Sequence, residues 1–552
     1  MIGVVATDAQ RPWVAEFFEL FKTPWEFYRP GANYDVLLCA SAEIPPYSGK
    51  LLLLFNSQAL PQDAGLNLSP TRETTAQLIQ GPEGKVPVYG RSLTFSGGSS
   101  LGWRLAGGSG NIVVGANLNG MQLVRVGFDL FGEVEHLLTR GQPMQHAPIP
   151  TLELHIAMLR RLIVETGNFL VEISPTPQGY SMTACLTHDM DHPGLRFHGL
   201  DHAILGFLKR AILDSVTHFI RNRMSLSQLM RNWVAVLKLP LVYLGLARDF
   251  WRQTERYIEL EGDLASTFFV IPKKDDAGQR VERRNARRRA SAYEAAEIAE
   301  DLRGIVASGR EVSVHGLDAW TDVDRGREEQ RRVQAAAGGD CKGVRMHWLC
   351  FEEDSPATLE AAGYEYDSTV GYNECFGFRS GTAQVYRPPG AEELLELPLH
   401  LMDTALLYPA YLNLSCQQAA QRIEELVDQV NCLGGVLTVN WHDRSLAPER
   451  QWDLPYRRLL KSLRQRRAWC PPAEKAVKWF RRRRAVQWRS LPGETSGIDM
   501  RVPESESTLP GMTIRAYNLS NGLGSLKQPV EIPLSGHGSH TMAISRAGHI
   551  KA

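Results

Sequence analysis

The sequence lacks several features that would place it at once in a large functional class. It has no net charge, because 61 Lys and Arg residues balance 61 Asp and Glu residues, and this removes the usual argument for a nucleic-acid partner. It has no run of about 18 uncharged apolar residues, so we expect no membrane-spanning helix. Its first residues do not form a basic segment followed by a long apolar one, so we expect no secretory signal.

Cysteine is also scarce and scattered. The eight cysteines lie far apart and none forms a Cys-x-x-Cys pair. This pattern favours a reduced interior over a disulfide framework or a cysteine-bound zinc ion. The glycine-rich stretch at residues 95–110 lacks a Gly-Lys-Ser/Thr ending, so it predicts tight turns rather than a phosphate-binding loop. We therefore expect a cytoplasmic protein of several domains, since 552 residues exceed the usual size of one domain.

Three segments are predicted along the chain. Residues 1–150 alternate apolar runs with a helical stretch, which is typical of an α/β domain, although nothing in them indicates a function. Residues 151–480 carry the chemistry and contain a long helical insertion at residues 201–251. Residues 481–552 are rich in Gly, Ser and Pro, which predicts a small tail that is β-rich or partly disordered. In that tail His537 and His540 lack a third metal ligand nearby, so a loose terminus is the preferred interpretation.

The insertion and two basic runs are the features that could contact a membrane or another charged surface. The insertion is apolar with helical periodicity, and Lys238 and Pro240 interrupt it. Two interpretations stay open: a helical lid packed on the domain, or a helix that lies on a membrane surface. The basic runs at residues 283–289 and 481–484 are interpreted first as solvated helix faces, and second as sites for an anionic glycan or lipid headgroup.

Four strand-like apolar runs end in polar residues. The first ends in Asp189 and Asp191, which alternate with Met190 and therefore face the same way on an extended chain. The other three end in His315, in Arg345 with His347, and in His442. Each segment alone could be a solvated turn or a core histidine with satisfied hydrogen bonds. Together, and separated by helices, they predict a catalytic rim at the strand ends of an α/β barrel.

These segments resemble, in order, the motifs of the polysaccharide deacetylase family, the NodB-homology domains of carbohydrate esterase family four, in a divergent branch. The resemblance covers about half of the chain, residues 179–444, through Thr187-His-Asp-Met-Asp191 and residues 311–315, 345–347, 363–369 and 437–443. It implies a distorted (β/α) barrel behind an N-terminal α/β domain, with a small β-rich C-terminal tail. It also implies metal-dependent hydrolysis of an N-acyl group on an amino sugar.

The resemblance assigns catalytic roles to three residues. Asp189 would be the general base, and Arg345 would orient it and keep it ionised. His442 would be the general acid that protonates the departing amine. Asp367 or Asp443 would tune the imidazole of His442, and the sequence does not choose between them.

A divalent metal ion, with zinc as the expected ion, would be bound by Asp191 and His315 in the same resemblance. The family has a second histidine four residues after His315, but this sequence has Ala319 there. His347 is the favoured replacement, because an imidazole on a neighbouring strand end can reach a shared centre, and Asp318 is the second choice.

The expected substrate is a polysaccharide or its amino-sugar precursor, and no nucleic acid is expected as a partner. Because Ala319 replaces a ligand, one alternative is a catalytically inactive carbohydrate-binding or scaffold protein on the same barrel. A hydrolase of another carbon–nitrogen amide bond is a second alternative. If the insertion at residues 201–251 contacts a membrane, the cytoplasmic protein would be membrane-associated. The oligomeric state is left open.

Overall fold

The computed structural model of the 552-residue chain divides into two compact units. It describes residues 1–108, 110–118, 120–221, 224–490, 498–502, 508–518, 529–534, 543–544 and 550–551. Unit 1 comprises Met1–Gly179, Ser380–Tyr386 and Lys478–Ala552, and unit 2 comprises Tyr180–Arg379 and Arg387–Val477. These units divide the chain differently from the predicted segments 1–150, 151–480 and 481–552, because residues 151–179 and 478–552 belong to unit 1. His537 and His540 lie outside the described residues.

Unit 1 is built on a seven-stranded mixed sheet. In sheet order its strands are Trp25–Phe27, Ile2–Val5, Val36–Cys39, Leu51–Phe55, Met121–Val126, Val113–Leu118 and Ser99–Ser100, of which the first five run parallel. A separate sheet holds the strands Ser69–Gly81, Gly84–Ser96 and Arg104–Leu105. The helices are Asp8–Gln10, Arg11–Phe21, Pro61–Gly65, Leu130–Thr139, Met144–His146 and Thr151–Glu165. The expected N-terminal α/β architecture is confirmed.

The C-terminal part of unit 1 is rich in strands, as expected. Met512–Tyr517 pairs with Leu170–Ile173 on one side and with Val530–Leu534 on the other, both antiparallel. The strands Gln487–Ser490, Ile498–Arg501, Ala543–Ile544 and Ile550–Lys551 form a further sheet.

The second basic run lies at the end of the helix Ala473–Arg484 and is not a solvated face throughout. The guanidinium of Arg483 is buried and donates to the backbone carbonyls of Leu20 and Ile173 at 3.0 and 2.7 Å. Arg484 forms a two-point ion pair with Glu16. Interpreting this run as solvated is therefore wrong for these two arginines, because their donors satisfy carbonyl and carboxylate oxygens inside the unit.

Unit 2 contains an eight-stranded sheet in which all paired neighbours are parallel. Its strands in chain order are β1 Thr183–Met190, β2 Ser266–Val270, β3 Glu311–Gly316, β4 Gly343–Met346, β5 Tyr366–Asp367, β6 Leu395–Glu396, β7 Leu401–Met402 and β8 Val436–Asn440. Their order in the sheet is β6-β5-β4-β3-β2-β1-β8-β7.

One continuous segment, residues 395–402, closes this sheet into a barrel. It supplies both edge strands, because it pairs with β5 at its start and with β8 at its end. Eight strands spaced by about 4.8 Å would place the edges of a flat sheet roughly 33 Å apart. The residues between β6 and β7 can span at most roughly 18 Å. The sheet must therefore curl, and the expected distorted (β/α) barrel is confirmed.

Helices alternate with the barrel strands. They are Leu195–Phe197, His202–Leu208, Lys209–Asp214, Ser215–Ile220, Leu226–Tyr243, Thr254–Glu261, Arg283–Arg289, Ala295–Ile298, Ala299–Ala307, Val323–Ala337, His347–Leu349, Ser355–Ala362, Asp403–Leu407, Cys416–Leu433, Asp453–Gln465 and the start of Ala473–Arg484. The insertion is helical as expected, although the helix Leu226–Tyr243 continues across Pro240. Among the described residues, no helix has both the length and the hydropathy needed to cross a bilayer.

Candidate active site at the barrel strand ends

The six predicted site residues meet at the carboxyl end of the barrel sheet. Parallel strands present their carboxyl ends at one edge, so residues far apart in sequence converge there. The residues come from four strand ends: Asp189 and Asp191 from β1, His315 from β3, Arg345 and His347 from β4, and His442 from the segment after β8.

Asp189 is fixed by two donors and kept ionised. Nη1 of Arg345 donates to its Oδ1 at 2.9 Å, and the side-chain amide of Asn440 donates to its Oδ2 at 2.7 Å. Burial alone would favour the neutral acid, but the charge of Arg345 and of the neighbouring imidazoles holds the pKa of Asp189 below its ordinary value. Asn440 was not among the predicted residues, although it lies inside the last quoted motif.

Arg345 is held in one position by hydrogen bonds and by an aromatic ring. It donates to Oγ1 of Thr187 at 2.7 Å, and to the carbonyl and hydroxyl oxygens of Ser368 at 3.0 and 2.9 Å. Its guanidinium lies 4.3 Å from the ring centroid of Phe269. A buried guanidinium with this many partners has little freedom to move, so Arg345 presents its charge to Asp189 in a defined geometry.

Asp191, His315 and His347 form a compact group of candidate metal ligands. Each offers one ligand atom, and these atoms all lie within 4.8 Å of one another. Nε2 of His315 and Nε2 of His347 lie 3.4 and 3.7 Å from Oδ1 of Asp191. Zinc–nitrogen bonds of about 2.0 Å place neighbouring tetrahedral ligands roughly 3.3 Å apart. The spacing therefore suits a small cation.

The hydrogen bonds of these side chains also fit a cation. Nδ1 of His315 lies 2.9 Å from the carbonyl oxygen of Arg345, which only accepts, so in the neutral ring Nε2 carries a lone pair. Burial lowers the pKa of His347 to about 3, so its imidazole is neutral. Oδ1 of Asp191 is buried and has no hydrogen-bond partner among the described residues. An acceptor oxygen that faces two imidazole nitrogens is the arrangement that a divalent ion would satisfy.

The backbone around His347 is held by a buried arginine. Nη2 of Arg289 donates to the carbonyls of His347 and Leu317 at 3.1 and 2.9 Å. The next two residues, Trp348 and Leu349, have φ of 66° and 53°, in the left-handed region that side chains disfavour. Arg289 belongs to the first basic run and is buried, so the interpretation of that run as a solvated face is wrong at this residue.

Asp318, the second choice for the third ligand, lies outside the group. Its Oδ2 accepts from Arg325 at 2.6 Å and its Oδ1 accepts from the backbone N–H of Gln279 at 2.8 Å. Both oxygens are therefore engaged away from the site. It is His347 that the structure places beside Asp191 and His315, in the absence of a histidine at Ala319.

His442 is paired with a carboxylate that the sequence analysis did not identify. Its Nδ1 lies 2.6 Å from Oδ1 of Asp403, and its backbone N–H donates to Oδ2 of the same residue at 2.8 Å. Burial alone would lower the pKa of His442, but the charge and hydrogen bond of Asp403 raise this pKa to about 9. The other ring nitrogen, Nε2, lies 3.8 Å from Oδ2 of Asp191. His442 therefore carries a proton and presents it toward the candidate metal group.

The structure corrects the expected partner of His442, because its imidazole bonds Asp403, whereas Asp367 and Asp443 accept hydrogen bonds from other residues. Asp367 accepts a hydrogen bond from Thr369, and Asp443 accepts one from the backbone N–H of His192 at 2.8 Å. Asp403 lies 39 residues before His442 in the sequence. It follows β7, and β7 is a neighbour of β8 in the sheet. No local pattern in the sequence shows which strands are neighbours, so this pairing could not be predicted.

The curled parallel sheet is the distorted (β/α) barrel that the resemblance implies, and the six predicted site residues lie at its strand ends. No protein-family model matches the chain, and no curated protein matches it significantly.

Solved structures do match the chain. A polysaccharide deacetylase from Bacillus cereus is 12% identical, with 53% of this chain and 91% of that chain covered and a TM-score of 0.27. Puue allantoinase is 14% identical, with 55% of this chain and 92% of that chain covered and a TM-score of 0.35. A family 4 carbohydrate esterase from Streptomyces lividans is 13% identical, with 53% of this chain and 93% of that chain covered and a TM-score of 0.23. Identities this low transfer no activity to this chain.

Proposed function

We propose that unit 2 is a hydrolase that removes an N-acyl group from amino sugars of a polysaccharide or its precursor. The observation that carries the proposal is a carboxylate held ionised, Asp189, and an imidazole held protonated, His442, beside one group of candidate metal ligands. Oδ2 of Asp189 lies 3.7 Å from Nε2 of His315. Nε2 of His442 lies 3.8 Å from Oδ2 of Asp191. Amide hydrolysis needs a general base and a general acid in these opposite protonation states.

In this proposal Asp191, His315 and His347 bind a divalent cation, and zinc suits their nitrogen and oxygen ligands. When bound, such an ion polarises a substrate carbonyl and lowers the pKa of water. The group fits this role because its three ligand atoms converge and the facing oxygen of Asp191 is otherwise unsatisfied.

The protein's own side chains move the protons. Asp189 accepts a proton from the water that attacks the acyl carbonyl, which requires the ionised form that Arg345 and Asn440 maintain. His442 donates its Nε2 proton to the amide nitrogen as the carbon–nitrogen bond breaks, which requires the imidazolium that Asp403 maintains. The products are the free amine and the carboxylic acid.

A product assay on two substrate sets tests the proposal against its alternatives. The purified chain is incubated with N-acetylated amino-sugar oligomers and, separately, with small linear and cyclic amides, and the released acid and amine are measured. Release from the oligomers supports the proposal. Release from the small amides alone indicates hydrolysis of another carbon–nitrogen bond. Binding of oligomers without release from either set would support the inactive binding protein.

Metal content is the first prediction. Protein purified without chelators is expected to carry about one divalent ion per chain, as catalytic sites with three protein ligands and one open position do. His347→Ala is expected to lose the ion, because it removes one of the three ligand atoms. Elemental analysis measures both. Asp318→Asn is the matched control and should keep the ion, since Asp318 bonds Arg325 and Gln279 instead. A metal-free wild type, or loss of the ion only in the control, would contradict this assignment.

The pH dependence of the rate is the second prediction. His442 is the protonated species below its pKa, which the charge of Asp403 raises to about 9. Asp403→Asn keeps the shape of the side chain but removes that charge, so the pKa of His442 should fall. The alkaline limb of the rate profile is then expected to move to lower pH, with a larger loss of rate in mildly alkaline than in mildly acidic buffer.

Ser445→Ala is the control for this experiment. Oγ of Ser445 donates to Oδ2 of Asp403, so the variant removes a hydrogen bond from the carboxylate and leaves its charge in place. Its profile should shift much less than that of Asp403→Asn. An alkaline limb that is the same in wild type and Asp403→Asn would show that His442 is not the titrating acid.

A further inference from the structure

The helix Leu226–Tyr243 of unit 2 exposes a continuous apolar face to solvent. Its members are between 41% and 76% exposed; they are Leu226, Met230, Trp233, Val234, Leu237 and Leu241. At the rotation of an α-helix these positions lie within an arc of about 100°, so they form one stripe along the helix. This set of six side chains is called the apolar stripe below.

The opposite face of the same helix is already packed. Leu229, Asn232, Ala235 and Val242 are buried, and the last two belong to an apolar cluster with Leu195, Trp251 and Ala447. The helix is therefore seated on the unit by one face, and the apolar stripe is a second, outward face. An outward face of this composition is costly in water and indicates an interaction surface.

Exposed apolar side chains are concentrated in this region rather than scattered over the chain. The described residues expose 24 large hydrophobic side chains, of which 15 lie between residues 200 and 246. The preceding helical stretch contributes Leu205, Leu213 and Ile220, which are 59%, 64% and 73% exposed. Single exposed hydrophobic residues need no explanation, but a cluster of this size does.

The charges around the apolar stripe have one dominant sign. Residues 200–246 contain six Lys and Arg residues against two Asp residues, although the whole chain has no net charge. Asp201 accepts from backbone N–H groups of the following helix, and Asp214 lies 3.9 Å from Lys209. On the helix of the stripe, Arg231 and Lys238 are the charged residues, and both lie just beyond one edge of the apolar arc.

We propose that the apolar stripe docks on an anionic lipid bilayer, with the helix lying in the plane of the headgroups. Apolar side chains including Trp233, with Arg and Lys at the edge of the arc, are the composition of helices that bind this way. The local positive charge complements anionic headgroups. A second copy of the chain is the less suitable occupant, because a symmetric pair would bring the basic residues of both copies together.

Docking would place the bilayer beside the barrel rim. The cluster that seats the helix includes Leu195, which follows β1, and Ala447, which follows β8. These are the two strands whose ends carry Asp191 and His442. The proposal stands on the exposed face and its charge, and it does not depend on the activity proposed above.

Vesicle co-sedimentation of the full chain tests the proposal. Vesicles of phosphatidylcholine with phosphatidylglycerol are expected to bind the protein, and added salt should weaken the binding. Vesicles of phosphatidylcholine alone should bind it much less. The double variant Leu237→Glu with Leu241→Glu is expected to bind the anionic vesicles at least about tenfold more weakly, since each substitution removes a buried apolar contact with the bilayer. Leu454→Glu is the matched control, because Leu454 is 40% exposed on another helix, and it should bind like wild type.

Three further measurements complete the test. Slower amide hydrogen exchange within residues 226–243 of the unmodified protein, on adding anionic vesicles, supports the proposal without any variant. Equal binding of wild type and the double variant, or no binding of wild type, overturns it. A wild-type dimer in size-exclusion chromatography that the double variant abolishes would also overturn it, in favour of a second copy on the apolar stripe. Thermal melting of each variant confirms that it is folded.

Discussion

Asp189→Asn is expected to lower the rate of N-acyl hydrolysis at least about a hundredfold, the loss typical of a missing general base. Asparagine keeps the size of the side chain and an oxygen that can accept from Arg345, but its amide cannot take a proton from water. In the wild type the guanidinium of the buried Arg345 keeps Asp189 ionised. Asp189 is the one carboxylate among the described hydrogen-bond acceptors of this guanidinium. The measurement is the rate of acid release at saturating substrate, with metal content determined on the same sample.

The metal content of Asp189→Asn shows whether Asp189 is the general base or a metal ligand. Because Asp189 lies outside the group of Asp191, His315 and His347, the variant should keep about one ion per chain. Asp318→Asn is the control, since Asp318 is a buried carboxylate that also pairs with an arginine but lies outside the site, and its rate should stay near that of wild type. Loss of the ion in Asp189→Asn would show that this residue is a ligand and would remove it from the role of base.

His442→Gln is expected to cause a loss of similar size for a different reason. Glutamine cannot donate a proton to the leaving nitrogen, and without that proton the nitrogen would have to depart as an amine anion, which is a poor leaving group. The loss should therefore depend on the substrate. An aryl acetate, whose phenolate departs without a proton, should be hydrolysed by the variant with a much smaller loss than an N-acetylated sugar. Comparing the two substrates in wild type and variant measures this dependence.

His192→Gln is the matched control for that comparison. His192 lies beside Asp191, but its Nδ1 lies 3.2 Å from Nε2 of His198 and the proposed proton transfers do not use it. Its rates on both substrates should change little. An equal loss on both substrates in His442→Gln would mean that this imidazole acts before the leaving group departs, and the assignment as general acid would be wrong.

The sequence identified the strand ends well because local spacing determines them. Asp189 and Asp191 alternate along one strand, and each histidine ends an apolar run, so their meeting at one edge of a parallel sheet could be predicted. Asp403 could not be predicted, since its contact with His442 depends on β7 and β8 being neighbours. The burial of Arg289 and Arg483 was missed for a related reason. The sequence does not show which carbonyl groups accept hydrogen bonds from an arginine, so a run of arginines is interpreted as solvated.

The segment that closes the barrel also determines where the protein could tolerate new chain ends. Residues 395–402 join β5 to β8 and lead directly into Asp403, the residue that holds His442 protonated. A circular permutation opened between β6 and β7 would leave the other strands intact, but it would release the carboxylate together with the edge of the sheet. The same short segment thus completes the barrel sheet and positions the carboxylate that keeps the imidazole protonated.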